Sequence, residues 1–304
     1  MIIYDMIVIG GGPGGYTAAL YGARAGLDVL VLEKISVGGQ MALTHMIDNY
    51  PGFDEGIDGF ELGQRMQQSA MRFGAETKMT QVLEVNLEAK PKIVRTDNGE
   101  FFGKTVVVAT GAEPRMLGLA KEAELTGRGV HYCAACDGMF YRGKTAVVVG
   151  GGNSAAADAL VLSRLAKKVI LVHRRDRLRA EKVVAEGLKK AENVEFAWNA
   201  EVSEILYEGR LNGVRLRDVQ SGEEREIFCD GLFISIGRKP ASSLIQHQLE
   251  LDDAGYIVAG EDTETNIPGV FAVGDVRTKA VRQIVTATAD GAVAAHGAQV
   301  FLAD

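Results

Sequence analysis

Cys133 and Cys136 stand with two residues between them and an acid directly after, in Cys133-Ala134-Ala135-Cys136-Asp137. That spacing closes a small disulfide that opens and re-forms by thiol exchange. A carboxyl group beside a thiol can handle the proton that exchange moves. A structural zinc would need four ligands. His131 lies close by, but no second cysteine pair occurs at finger or ribbon spacing, so no metal is expected. An inert pair of buried thiols is the other reading, and the adjacent Asp137 in a glycine-containing turn favours chemistry. His131 itself reads as a packing residue. Cys229, alone in Ile227-Phe228-Cys229-Asp230-Gly231, reads as a small buried hydrophobe. His45, His131, His173, His247 and His296 form no nucleophile–base pattern, and neither G-x-S-x-G nor H-E-x-x-H occurs, which leaves hydrolase chemistry without support.

The cysteine pair precedes one of two glycine loops. Gly10-x-Gly12-x-x-Gly15 follows the apolar run Met6–Ile9 and opens an alanine-rich helix predicted over 16–25. The first glycine allows a tight turn, the second lets backbone approach a pyrophosphate, and the third lets helix and strand pack closely. The helix start then faces the phosphates with unpaired N–H groups. Glu33 ends the next strand, where an acid can bond a ribose hydroxyl. Gly150-x-Gly152-x-x-Ala155 repeats the pattern between the strand Ala146–Val149 and a helix predicted over 156–165. Here the next strand ends not in an acid but in His173-Arg174-Arg175, with Arg179 a turn further on. Arginine grips a 2′-phosphate that an acid would repel, which favours NADPH over NADH. The competing reading is a solvated basic helix start. Gly274-Asp275 follows the strand Val270–Val273, where an aspartate could bond a flavin ribityl or phosphate group.

Continuous apolar strands predict parallel sheets covered on both faces. The fold class is α/β, with two Rossmann-like three-layer nucleotide-binding domains. The order of motifs predicts one domain inserted into the other: residues 1–114 begin the first, residues 115–240 form the second and carry the cysteines, and residues 241–304 complete the first. A last alanine-rich helix is predicted over 283–301. Glu113-Pro114-Arg115 and Arg238-Lys239-Pro240 are the hinge candidates, since each puts a proline at a change of pattern.

The bulk properties narrow the function classes. At 304 residues the chain is long enough for two cores. Hydrophobic residues make up 47% and charged residues 24%, a soluble globular composition. The net charge of -7 and the lack of a basic run argue against non-specific nucleic-acid binding. No apolar stretch approaches the roughly 20 residues that span a bilayer. The chain enters its first strand without a charged leader, so a cytoplasmic protein is expected.

Taken together, the motifs resemble the low-molecular-weight thioredoxin reductases, the bacterial and archaeal type, over nearly the whole chain. The resemblance rests on Gly10–Gly15, Gly38-Gly39-Gln40, Ala109-Thr110-Gly111-Ala112, Cys133–Asp137, Gly150–Ala155, His173-Arg174-Arg175 with Arg179, and Gly274-Asp275 followed by Arg282-Gln283. It implies FAD in the first unit, NADPH in the inserted one, thioredoxin as partner and a homodimer. It implies FAD contacts from Gly10, Gly12, Pro13 and Gly15, from Glu33, Lys34, Gly39 and Gln40, and from Asn49, Thr110 and Gly111. Further FAD contacts would come from Gly274, Asp275, Arg282, Gln283 and Ile284. NADPH contacts would come from Gly150, Gly152, Asn153 and Ser154, then His173, Arg174, Arg175 and Arg179. Cys136 would face the flavin, Cys133 would attack the thioredoxin disulfide, and Asp137 would protonate the departing thiolate. Two positions depart from the family pattern: Ala157-Asp158 stands where an acidic pair is frequent, and Ala241 where asparagine is.

Electrons would pass from NADPH to FAD, then to the Cys133–Cys136 disulfide, then to thioredoxin. Because cysteines and nicotinamide site share one inserted unit and must both reach one flavin, that unit is expected to rotate between two poses about its hinges. The alternatives within this fold are a disulfide reductase with another donor, ferredoxin or NADH, or another thiol-protein partner. A non-catalytic redox-sensing flavoprotein is the alternative outside enzymes.

Overall fold

The computed structural model of the protein describes residues 2–44 and 46–303. The chain divides into two compact units, Met1–Glu113 with Lys239–Asp304, and Pro114–Arg238.

The first unit opens with β1 (Ile3–Ile9), α1 (Pro13–Arg24) and β2 (Val29–Glu33). It continues through α2 (Gly59–Met71), β3 (Glu76–Met79), β4 (Val82–Asn86), β5 (Lys92–Thr96) and β6 (Gly99–Val108). The strand β7 (Ala112–Pro114) leads out of it. The second unit contains β8 (Val130–His131), α3 (Ala134–Asp137), β9 (Thr145–Val149), α4 (Asn153–Ser163), β10 (Lys168–His173) and α5 (Lys182–Lys189). There follow β11 (Val194–Trp198), β12 (Ala200–Glu208), β13 (Arg210–Asp218), β14 (Glu224–Phe228) and β15 (Gly231–Ile234). The return strand β16 (Arg238–Pro240) pairs with β7, so the two crossings form a short ribbon. The chain ends with β17 (Val270–Ala272) and α6 (Ile284–Ala303).

The first sheet runs β3-β2-β1-β6-β5-β4. Strands β3, β2, β1 and β6 are parallel neighbours, while β6, β5 and β4 form an antiparallel meander. β6 is long enough to serve two partners on one edge: residues 99–103 pair with β5, and Val106–Val108 pair with β17. Alternate residues of β1 feed two cores, which is why residues 6–9 are apolar without a break. Met6 and Val8 pack with Ala18 and Ala19 of α1 and Ala294 and Ala298 of α6. Ile7 and Ile9 face the other way, toward Val85, Val94, Ile245 and Ile257. The two helices approach so closely that a Cβ added at Gly291 would lie 2.3 Å from the Gly14 carbonyl oxygen.

The second unit repeats this logic. Its parallel sheet runs β11-β10-β9-β15-β8, and β12-β13-β14 form a separate antiparallel sheet. From β9, Ala146 and Val148 pack on Ala155, Ala156 and Leu162 of α4 and on Leu188 of α5. Val147 and Val149 face Val202, Ile205, Val214 and Leu216 of the antiparallel sheet. Each unit is therefore a three-layer α/β structure.

Three helices differ from the sequence-based ranges. α1 and α4 begin at Pro13 and Asn153, inside the glycine motifs rather than after them. Gly14, Gly15 and Ala155 are helical, because backbone N–H groups of the loop already continue the helix: the Tyr16 and Ala156 amides bond back to Gly12 and Gly152. α6 is shifted by one or two residues, to Ile284–Ala303.

Candidate functional site

In the first unit, parallel pairing sets the carboxyl ends of β1, β6 and β17 side by side. Gly10–Gly12, Ala109–Gly111 and Val273–Asp275 leave the sheet at that one edge. Gly10 adopts φ +108°, where a side chain would strain, and a Cβ there would press on the Ala109 carbonyl at 2.4 Å. At Gly15 a Cβ would lie 2.0 Å from the Gly10 carbonyl, so the third glycine is fixed by helix–strand contact. Gly12 is different, because a Cβ there would meet nothing within 4 Å. The protein itself does not demand that glycine, while a phosphate approaching the backbone would. α1 also starts without a side-chain cap, whereas Asp58 caps α2 through the Phe60 and Glu61 amides. The open N–H groups and the bare Gly12 fit a pyrophosphate.

Around that edge sit the other sequence-predicted residues. The buried Glu33 carboxylate accepts from the Gly11 amide at 2.6 Å and the Ile35 amide at 2.9 Å. Each oxygen keeps a second lone pair, so the loop orients the carboxylate while leaving capacity for a ribose hydroxyl. Gln40 donates to the Ala112 carbonyl, and Thr110 Oγ1 donates to the Ala241 carbonyl at 2.8 Å. Asn49 and Gln283, far apart in sequence, meet at 3.0 Å. Arg282 lies 4.0 Å from the Tyr256 ring centroid and donates to the Arg277 carbonyl. The Gly274 amide donates to Asp290 of α6 at 2.8 Å. Asp290 is buried and also receives two bonds from Arg277, at 3.0 and 2.7 Å, and one from Lys279 at 2.7 Å. Burial pushes the Asp290 carboxyl up, but the bonds from Arg277, Lys279 and Gly274 outweigh it and hold it below the ordinary range. Nothing in the sequence singled out Asp290. Its only signal is an acid in the middle of an otherwise apolar, alanine-rich helix.

The second unit places its motifs along one edge in the same way. β10, β9, β15 and β8 are parallel. Their carboxyl ends release, in sheet order, His173-Arg174, Gly150–Gly152, Ser235–Gly237 and Tyr132-Cys133. The cysteine pair and the second glycine loop thus share one sheet edge. Gly150 has φ +146°, and a Cβ there would lie 2.4 Å from the Ser235 carbonyl. Gly152, like Gly12, would place a Cβ in open space, and α4 also lacks a side-chain cap. The buried His173 ring lies over Gly151, whose Cβ would come within 2.2 Å of it. Burial first, and then Arg179, Arg175 and Arg174, lower the His173 pKa. Its Nε2 is buried without a partner. The Arg179 amide bonds the Gly151 carbonyl at 2.6 Å, which brings that arginine to the glycine loop. Arg174 and Arg175 are exposed beside it. Asn153 instead ties down Glu181, through its amide at 2.8 Å and its carboxylate at 3.1 Å.

Cys133 and Cys136 form a disulfide with a Cα separation of 5.3 Å. Cys133 caps the short helix α3, and the Asp137 amide bonds its carbonyl at 3.1 Å. Asp158 of α4 accepts from the Ala134 amide at 3.2 Å and from Ser235 Oγ. One carboxyl thus links the cysteine helix to the glycine-loop helix and to the turn after β15. Burial raises its pKa. His131 packs as expected, stacked on Phe233, and also makes polar contacts that the sequence did not show. Its Nδ1 lies 3.1 Å from Asp137 Oδ2 and its Nε2 lies 2.6 Å from the Tyr141 hydroxyl. Sequence alone missed this because the two contacts cross the disulfide loop. Cys229 is buried and burial raises its pKa to about 12, which keeps its thiol inert. His45 lies outside the described residues.

Two dinucleotide loops, and a disulfide on the second one's sheet edge, define a class of enzyme that moves electrons between nucleotides and thiols. The chain belongs to the pyridine nucleotide-disulphide oxidoreductase family, whose profile matches residues 4–291. Among curated relatives, thioredoxin reductase of Bacillus subtilis is 46% identical over 301 residues, covering 99% of this chain and 95% of that protein. Thioredoxin reductase of Listeria monocytogenes is also 46% identical, with coverage of 99% and 94%. The crystal structure of thioredoxin reductase from Streptococcus pyogenes superposes with a TM-score of 0.91 at 41% identity, covering 99% of this chain and 98% of that one.

Proposed function

We propose that this protein is an NADPH-dependent thioredoxin-disulfide reductase carrying FAD. The observation that carries the reading is the Cys133–Cys136 disulfide on the same sheet edge as the second glycine loop. Gly10–Gly15, Glu33 and the Gly274-Asp275 turn would hold FAD, which supplies the two-electron step between nicotinamide and disulfide. Gly150–Ala155 would receive the NADPH pyrophosphate, and Arg174, Arg175 and Arg179 its 2′-phosphate.

The protein's own chemistry is thiol exchange. With the pair reduced, the Cys133 thiolate attacks one sulfur of the thioredoxin disulfide. A mixed disulfide forms, the thioredoxin S–S bond breaks, and the departing thiolate takes the proton of Asp137. Cys136 then attacks Cys133, the Cys133–Cys136 bond re-forms, and thioredoxin leaves as a dithiol. Thioredoxin stands at about −270 mV, so the donor chain must be at least as reducing. Cysteines and nicotinamide site belong to one unit and must serve one flavin, so that unit turns on its two connections between half-reactions. A cross-link joining the units that left turnover intact would refute the turning. The enzyme acts as a homodimer in the cytoplasm. Among the described residues, no helix is long and apolar enough to cross a membrane.

The test is an absorbance experiment on purified protein. It should be yellow, bleach on addition of NADPH, and pass electrons to a thiol reagent only with thioredoxin present. A yellow protein that NADPH does not bleach would overturn the reading in favour of another donor or a binding role.

A further inference from the structure

Asp137, His131 and Tyr141 form a continuous chain of polar contacts, of which the exchange chemistry above uses only Asp137. Asp137 Oδ2 stands 3.1 Å from His131 Nδ1, with side-chain exposures of 16% and 6%. His131 Nε2 stands 2.6 Å from the Tyr141 hydroxyl. The imidazole is clamped between rings: Phe233 stacks on it at 5.1 Å and Tyr141 meets it edge-on at 5.2 Å. Tyr141 is itself seated on Gly231, where a Cβ would lie 2.3 Å from its ring. Packing alone would be met by any flat side chain, so the two ring nitrogens need a separate account.

The donors and acceptors fix one arrangement. After Asp137 has given its proton to the departing thiolate its carboxylate only accepts, so the Nδ1 that faces it carries a proton. Nε2 is then an acceptor, and Tyr141 donates to it. Tyr141 stays a neutral donor because burial, and then the Asp137 charge, raise its pKa. The other groups acting on Tyr141 are Asp230 and Cys229 ahead of β15 and Arg210 of β13. On α4 the titratable group is Asp158, held on the Ala134 amide and Ser235. None of these bonds Asp137 directly. Among the described residues, His131 is the side chain that does.

We propose that His131 is a positioning residue for Asp137, holding the carboxyl in place through Nδ1–H and steadying its ionised form after its proton has gone to the departing thiolate. Tyr141 selects the tautomer that makes this possible. The proposal rests on the reading of Asp137 as the proton donor. When the thioredoxin sulfur leaves with the electron pair of the broken S–S bond, Asp137 gives up one proton. His131 Nδ1–H then bonds the carboxylate, and solvent returns the proton through the partly exposed Asp137.

The experiment uses the holoenzyme reduced by NADPH and mixed with oxidised thioredoxin. Thiol appearance is followed across the range in which carboxyl and imidazole groups titrate. The profile has a falling limb set by the group that supplies the leaving-group proton. His131→Phe keeps the ring stack but removes the donor to the carboxylate, so that limb should move up by about one pH unit. His131→Asn, which keeps an N–H in reach, should restore the limb to within a few tenths of a unit. Tyr141→Phe frees the tautomer and should move the limb the same way by less, a second handle should the His131→Phe protein fold poorly. An unmoved limb in both His131→Phe and Tyr141→Phe would overturn the proposal. Asp137→Asn in the same assay separates the two claims. If Asp137→Asn leaves the limb in place, the proton-donor reading of Asp137 fails; if only the His131 and Tyr141 variants do, that reading stands and the role of His131 falls.

Discussion

Replacing Asp290 by asparagine keeps the shape of the side chain and removes its charge. In the parent, the Gly274 amide, two Arg277 nitrogens and Lys279 Nζ converge on its two oxygens. Asparagine offers one oxygen, and its amide N–H₂ faces donors that need acceptors. Arg277 and Lys279 are 5% and 7% exposed at the side chain, so both would be left as buried, unpaired cations. Removing one partner of a buried ion pair costs about 3–5 kcal/mol, against a typical domain stability of about 5–15 kcal/mol. At about 2–4 °C per kcal/mol, melting of the first unit should fall by about 6–20 °C. The loss should show by calorimetry. The Gly274 turn loses its anchor at the same time, so the flavin should dissociate more readily on dilution. The sign with pH follows from the lowered Asp290 pKa. Its stabilisation is present above the ordinary carboxylate range and lost as pH falls through the folded-state value. The Asp290→Asn protein should therefore lose less stability on acidification than the parent. A variant melting within about 2 °C of the parent, with flavin held as tightly, would refute the reasoning.

Two further outcomes follow from the second unit. Arg174→Ala with Arg175→Ala should weaken NADPH about 10- to 100-fold in a flavin-bleaching titration and leave NADH within about twofold, because only the 2′-phosphate loses charge-assisted bonds. An unchanged preference for NADPH would refute the 2′-phosphate assignment. Cys136→Ser should bleach with NADPH as the parent does while producing no thioredoxin thiols, and measurable thiol production would sink the assignment of the pair.

What the sequence disclosed was local. Each glycine motif spans a few residues, and its steric demands act between near neighbours, as Gly10 against Gly15 shows. The parallel runs at 6–9, 29–32, 106–108 and 146–149 were legible because both faces are buried and every residue in them is apolar. The antiparallel pieces were not. β4–β5 and β12–β14 expose one side, so their polar residues hid the pattern. The supporting polar groups were least legible of all. Asp158 meets Ala134 and Ser235 across 24 and 77 residues, and Asn49 meets Gln283 across 234. No spacing rule joins such partners, and only the fold does. His131 illustrates the same limit: its burial could be guessed, but its two bonds required the turn of α3 and the seat of Tyr141 on Gly231.

The double service of β6 bears on how the chain is made. Its Val106–Val108 half has a neighbour, β17, that begins only at Val270. The alanine face of α1 finds its cover, α6, only from Ile284 onward. A ribosome that had released residues up to 240 would already have delivered every strand of the second unit. The first unit would still show an unpaired sheet edge and a bare helix face. The insertion therefore turns the earliest-synthesised core into the last one closed, and the sticky surfaces of that waiting half are what a chaperone would meet on the nascent chain.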